Sequence, residues 1–370
     1  MKPRLFKSLA VLGGTLGALL VCELTVRTLN LAPRILQRGT IYIGWNRAVR
    51  WAKHPYYPDY QGGVPAGYMY AYNPGSSWAT QYPSNPRGYF DDRNRVTYSL
   101  NAQGFRGRDF SPKPPGSYRI AAIGDSWTFG EGVRLEHTYP VRLEQLIAAS
   151  TPGPACDVLN LGINGYGVRD HLVLLDQIPD LQLDALVFGY VLNDISHFEF
   201  DRLGLELRHD EQSQALLHVP SRLLNVIGSR FWMRAVSSRT QAFVLDLYEA
   251  DRFWNELADR LRDLAALVSK RNLALVVVIF PDLDGLALDP YPYAPIHGKL
   301  HALFDELGVR YIDMTDCFRE HGAEALRVHP ADAHPNEIAH ELIAAVVSPW
   351  AVERVREHRE RARAAEKTQP

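Results

Sequence analysis

Cysteine is scarce in this chain of 370 residues, with only Cys22, Cys156 and Cys317 present. At most one pair can form in an exported chain, so any pairing has to be tested against the fold. An excess of charge of either sign is also missing. The formal net charge is -2 and the pI is near 6.7, which leaves no electrostatic case for a nucleic-acid partner. No nucleic-acid-reading motif is present either. Low hydrophobic content, the mark of disorder, is absent as well. With 46% hydrophobic and 22% charged residues the chain has the composition of an ordinary globular protein, long enough for one large domain and an appendage.

Long apolar runs outside this globular pattern are confined to one place. Lys2, Arg4 and Lys7 precede a stretch from Ser8 to Cys22 that carries no charge until Glu23. At about 15 to 18 residues the stretch falls between a signal-peptide core and a full span of ~20. No small-x-small cleavage site follows, so residues 1–30 are expected to form an uncleaved signal anchor. Val21 stands before Cys22 where lipidation needs a small residue. The leading basic residues favour a cytoplasmic N-terminus and an exported body, against the weaker pull of Arg27, Arg34 and Arg38. A buried apolar helix is the alternative.

Residues 31–116 have a different character, with aromatics among turn formers, as in Pro55-Tyr56-Tyr57-Pro58 and Gly67-Tyr68-Met69-Tyr70-Ala71-Tyr72. Short strands and ordered loops are expected here, Val96–Leu100 among them. The rings either stack on carbohydrate or bury themselves against the following domain. Lys113-Pro114-Pro115-Gly116 then breaks the chain.

From Ser117 strands and helices alternate. Strands are expected at Tyr118–Ile123, Asp157–Leu161, Ala185–Tyr190, Leu273–Phe280 and Val309–Met314, the fourth being the most apolar and hence central. Helices are expected at Thr138–Ala149, Val168–Ile178, His297–Leu307 and Pro335–Val347. The segment 195–270 reads as a helical insertion, and Trp254, Leu257, Leu261, Leu264 and Val268 recur at helical spacing near its end. The pattern predicts a three-layer α/β/α sandwich with a five-stranded parallel, flavodoxin-like sheet over residues 117–350. That order puts the second and fifth strands at opposite edges, so Cys156 and Cys317 lie too far apart for a disulfide. The charged tail, 351–370, reads as a solvated helix.

Within this pattern one stretch is built for chemistry. The apolar run Ile120–Ile123 stops at Gly124-Asp125-Ser126, which delivers a hydroxyl to the carboxyl edge of the sheet. A serine needs a base, an orienting acid and oxyanion donors to act as a nucleophile. His334 in Asp332-Ala333-His334-Pro335 offers the base and Asp332 the orienting acid. Pro335 suits the first turn of a helix, whose dipole would keep His334 neutral. Gly165, after the second strand, offers a backbone N–H, and Asn193, after the third, offers a side-chain amide. His329 has passable metal-ligand spacing with Asp332 and His334, but the loop holds no cysteine or third histidine, and neither metal nor cofactor is expected.

These four blocks resemble the SGNH (GDSL) hydrolase superfamily over residues 117–350. The resemblance implies Ser126 as nucleophile, Asp332 and His334 as its partners, and an oxyanion hole from Ser126, Gly165 and Asn193. Two departures stand out: Val191 where the third block has glycine, and one residue rather than two between Asp332 and His334. The anchor and the segment Asn101–Arg106 resemble bacterial membrane-anchored members related to polysaccharide O-acetyltransferases. The resemblance implies an esterase at the bacterial inner membrane, facing the periplasm and acting on O-acyl groups of a carbohydrate. Transfer of an acyl group to a surface polysaccharide, or a non-catalytic role beside polysaccharide-assembly proteins, are the alternatives.

Overall fold

The computed structural model describes residues 3–29, 31, 40–53, 68–178, 181–214, 217 and 219–368. They form two compact units, residues 39–201 with 243–370, and residues 1–38 with 202–242.

The larger unit opens with five short strands: β1 (Ile41–Ile43), β2 (Val49–Lys53), β3 (Tyr68–Tyr72), β4 (Ser77–Gln81) and β5 (Arg95–Ser99). They form an antiparallel sheet β1-β4-β5 and an antiparallel pair β2-β3. Several rings on and beside these strands are core, whereas Tyr42 and Trp51 are half exposed. Tyr72, Trp78, Tyr82 and Tyr98 are buried, and Trp78 lies parallel to Phe129 with centroids 5.1 Å apart. For these four rings the second alternative, burial against the following domain, is the one observed. Pro55–Pro58 and Gly67 lie outside the described residues.

The main sheet contains β6 (Tyr118–Gly124), β7 (Cys156–Asn160), β8 (Ala185–Tyr190), β9 (Ala274–Ile279) and β10 (Arg310–Asp313). Its order is β10-β9-β8-β6-β7, all pairs parallel. The three-layer α/β/α expectation holds, with β7 and β10 at opposite edges. Cys156 and Cys317 are both free thiols. The centre of the sheet is β8, buried at all six positions, whereas β9 is interior but one strand from the edge. An apolar run reports burial on both faces, not rank within the sheet.

Helix Asp251–Lys270 buries Leu257, Leu261, Leu264 and Val268 on one stripe, as their spacing requires. The closing helix differs from expectation at both ends. It begins at Glu337 and runs to Thr368, taking in the charged tail. Val347, Ala351 and Val355 recur every four residues and are buried, so the apolar stripe continues through the charges. Arg359 Nη1 then donates to the carbonyl of Thr151 at 2.9 Å. Pro335 belongs not to this helix but to the hairpin formed by β11 (Arg327–His329) and β12 (Asp332–Pro335).

In the smaller unit, helix Pro3–Thr28 contains Ala10–Thr28, long and apolar enough to cross a membrane. The Glu23 carboxylate accepts from Ser221 Oγ at 2.9 Å and from the backbone N–H groups of Arg222 at 2.8 Å and Leu223 at 2.7 Å. It thereby caps the helix Arg222–Glu249. The segment 195–270 is helical as expected, and its middle groups with the N-terminal helix.

Candidate active site

Strand β6 is buried at all seven residues and ends at the carboxyl edge of the sheet. One helical turn, Ser126–Phe129, follows, and Asp125 Oδ1 caps it by accepting from the N–H of Trp127 at 2.8 Å. Two neighbours hold this turn. The buried Arg106 guanidinium donates to the carbonyls of Phe129 at 2.8 Å, Gly130 at 2.6 Å and Val133. It also sits over the rings of Tyr98 and Phe129, 4.8 and 5.0 Å from their centroids. The loop after β7 presses on the other side: a Cβ at Gly162 would lie 2.3 Å from the backbone N of Phe129. Only glycine allows this approach. Asn160 Nδ2 adds a hydrogen bond to the carbonyl of Thr128 at 3.0 Å.

The hairpin brings the remaining groups. His334 Nε2 lies 2.9 Å from Ser126 Oγ, and His334 Nδ1 lies 2.5 Å from Asp332 Oδ1. Asp332 Oδ1 also accepts from the backbone N–H of His334 at 3.0 Å, and Oδ2 accepts from the Tyr82 hydroxyl at 3.0 Å. The shortened spacing works because both residues lie on β12, and residues two apart on a strand share a face. A strand needs Asp-x-His where a turn needs a longer step.

The electrostatics of His334 correct the sequence expectation. The helix dipole does not govern it, since Asn336 Oδ1 caps the closing helix by accepting from Ile338 N at 2.9 Å and Ala339 N at 3.1 Å. Burial disfavours the imidazolium, but the adjoining Asp332 carboxylate outweighs it, and the pKa rises from 6.5 to about 9. Burial likewise opposes the Asp332 carboxylate, and His334 draws its pKa down to about 2. Ser126 Oγ has a second partner, donating to Asp125 Oδ2 at 3.2 Å. Two proton arrangements are thus built in. With His334 protonated, Nε2–H donates to Oγ and the hydroxyl donates to Asp125. With His334 neutral, the hydroxyl can donate to Nε2.

The structure therefore joins Ser126, His334 and Asp332 by direct hydrogen bonds. Gly165 and Asn193 sit in the loops that follow β7 and β8, the two strands flanking β6. Gly165 has φ +73, a left-handed conformation, and the Tyr70 hydroxyl lies 3.1 Å from the point a Cβ would occupy. Asn193 is in the turn Leu192–Ile195, and its Oδ1 is buried without a hydrogen-bond partner. Val191 has φ -120 and ψ 156, extended backbone that does not require glycine. His329 has both ring nitrogens engaged, Nε2 with Ser84 Oγ at 2.9 Å and Nδ1 accepting from Ala331 N at 3.0 Å.

The roles of three residues escaped the sequence reading. Tyr82 and Arg106 come from the region before the sheet, and Glu131 from the loop after Ser126. The buried Glu131 accepts from Thr80 Oγ1, from the Tyr98 hydroxyl at 3.0 Å and from Asn164 Nδ2 at 2.8 Å. The glycines flanking Glu131 were the only local signal.

A serine at the end of β6 thus meets a histidine and a carboxylate from β12. The model of the GDSL-like lipase/acylhydrolase family matches residues 122–342, more than half of the chain, and the chain belongs to that family. It is an ester-bond hydrolase. No curated protein matches the sequence. Among solved structures, a two-domain esterase active on acetylated mannans is similar at 16% identity and a TM-score of 0.37. The match covers 65% of this chain and only 50% of that esterase. An acetylxylan esterase from Geobacillus stearothermophilus is similar at 17% identity and a TM-score of 0.42, over 64% of this chain and 94% of that one.

Proposed function

We propose that the protein is a serine esterase that removes O-acyl groups from a carbohydrate through an acyl-enzyme on Ser126. The hydrogen-bonded series Asp332–His334–Ser126 carries this reading. Ser126 Oγ attacks the ester carbonyl carbon while Nε2 of neutral His334 takes its proton. The negative charge that develops on the carbonyl oxygen is held by the backbone N–H groups of Ser126 and Gly165 and by Nδ2 of Asn193. The imidazolium gives the proton to the departing alcohol oxygen as that bond breaks. Water then attacks the acyl-enzyme by the same proton route, releasing the acid and restoring Ser126. Asp332 orients the ring and stabilises its positive charge in both halves.

Support for a carbohydrate comes from Tyr42. Its side chain is half exposed, and it pairs across the sheet with Thr80, whose hydroxyl donates to Glu131 in the loop after Ser126. A half-exposed flat ring on this sheet offers a face for a sugar ring. The helix Ala10–Thr28 with its leading basic residues supports an anchor in the bacterial inner membrane and a periplasmic catalytic unit.

The test uses the full chain in detergent with a fluorophosphonate probe and p-nitrophenyl acetate. Wild type should label and turn over, and Ser126→Ala should do neither. Labelling that persists in Ser126→Ala would overturn the assignment of the nucleophile. Tyr42→Ala should raise KM for an acetylated oligosaccharide and leave p-nitrophenyl acetate unchanged. Mass spectrometry of a reaction with added oligosaccharide separates the outcomes, free acid supporting hydrolysis and an acylated sugar supporting transfer.

A further inference from the structure

A second cluster of chemically competent side chains lies away from Ser126, at the carboxyl end of the edge strand β10. His297 and His301 are one turn apart on helix Ala294–Glu306, so both face the same way. Asp313, the last residue of β10, meets both. Its Oδ2 lies 2.8 Å from His297 Nδ1 and 2.8 Å from His301 Nε2. The three potential ligand atoms lie within 4.8 Å of one another.

The groups around the cluster orient it. Thr315 donates to Asp313 Oδ1 through its N–H at 2.9 Å and its hydroxyl at 2.6 Å, leaving Oδ2 for the imidazoles. The Thr315 hydroxyl is also 3.3 Å from His297 Nδ1. The Tyr291 hydroxyl, 3.3 Å from His297 Nε2, fixes that ring with Nδ1 towards Asp313. The His301 ring stacks on Tyr311, with centroids 4.7 Å apart and planes 12° from parallel. Such outer partners are what metal-binding histidines and carboxylates use to hold their direction. Access is also provided. The His297 side chain is 5% exposed and Asp313 19%, but His301 is 33% exposed, so one side of the cluster opens to solvent.

We propose that His297, His301 and Asp313 form a binding site for a divalent metal ion of the zinc class. Two imidazole nitrogens and one carboxylate oxygen are a donor set suited to Zn²⁺, with water as the fourth ligand on the open side. Ligand atoms about 2.0–2.1 Å from a tetrahedral ion stand ~3.3 Å apart. The nitrogens and Oδ2 therefore separate by ~0.5 Å on binding, a side-chain adjustment. The ion takes the place of the two N–H protons now directed at Asp313, and each neutral ring then carries its proton on the other nitrogen, His297 Nε2 facing the Tyr291 hydroxyl. The proposal is independent of the chemistry at Ser126.

The full chain in detergent, stripped with EDTA, is dialysed against buffered free Zn²⁺, and bound zinc is measured by atomic emission. Wild type should retain one ion per chain. His301→Gln, at a partly exposed position, should bind at least about 100-fold more weakly, while Ser126→Ala should bind as wild type does. Co²⁺ added to wild type should give the visible bands of four-coordinate nitrogen and oxygen ligation, and those bands should persist in His334→Ala. This spectrum decides the matter if the His301 variant does not fold. Zinc retention unchanged by His301→Gln, or wild type with neither bound zinc nor Co²⁺ bands, would overturn the site.

Discussion

Replacing Asp332 with asparagine separates the two duties this residue has towards His334. The carboxylate raises the imidazole pKa from 6.5 to about 9 against the opposing effect of burial. That is a factor of about 300 in proton affinity, or roughly 3 kcal/mol. Only neutral His334 can take the proton of Ser126, so kcat/KM of the wild type should rise with pH and level off above about 9. In Asp332→Asn burial opposes the imidazolium with only the Glu131 and Asp125 carboxylates left to favour it, and the midpoint should fall from the wild-type value towards 6.5. The plateau should fall too, by about three to four orders of magnitude, because the imidazolium formed during attack loses its counter-charge. The two profiles should therefore move in opposite senses, with the variant active from lower pH but far less active at its best. The assay is steady-state hydrolysis of p-nitrophenyl acetate across the pH range, corrected for spontaneous hydrolysis. A wild-type midpoint at or below 6.5, or a variant that keeps the wild-type midpoint, would refute the claim that Asp332 sets the basicity of His334.

The same ion pair makes stability depend on pH. His334 is more basic folded than unfolded, so its contribution is complete below about 6.5 and lost as the pH rises through about 9. Asp332 is more acidic folded, so on the acid side the contribution is present above about 3.8 and lost as the pH falls through about 2. Calorimetric Tm should decline at both limits, and Asp332→Asn should remove most of the alkaline decline. Gly162→Ala should lower kcat by about 100-fold with little change in far-UV circular dichroism, since the added methyl displaces the turn that carries Ser126. Arg106→Met should remove the guanidinium from the carbonyls of Phe129, Gly130 and Val133, of which Phe129 keeps Asn160 Nδ2 and Gly130 keeps the N–H of Val133, with a loss of roughly 3 kcal/mol in urea unfolding.

Local pattern made much of the molecule legible. The strands of the main sheet are largely apolar runs, β6, β7 and β10 ending in Gly124, Asn160 and Asp313, and the expected bounds of all five lie within two residues of the observed ones. Ser126, His334 and Asp332 were found because each stands beside such a strand end or in a short polar motif. Pro335 misled the placement of the closing helix, since a proline suits an extended strand as well as a first helical turn. The tail misled because its charges hide a four-residue repeat of small apolar side chains. Tyr82 could not be found from sequence: its partner Asp332 is 250 residues away, and nothing local distinguishes it from the buried rings around it. Arg106 closes the segment Asn101–Arg106 that the resemblance singled out, but its grip on carbonyls 23 to 27 residues away was not legible in that segment.

Glu131 has a consequence for where the catalytic unit can be cut. Its carboxylate lies just after the nucleophile turn, yet two of its three partners, Thr80 and Tyr98, belong to β4 and β5. The proline-glycine break at residues 113–116 therefore punctuates the sequence without separating two cooperative units. A fragment starting at Ser117 would strip Glu131 of two hydrogen-bond donors, uncover the Phe129 ring that Trp78 shields, and lose Arg106 altogether. The early aromatic strands are a brace for the serine loop and belong to the same structural block. Protease resistance of the two segments should accordingly rise and fall together.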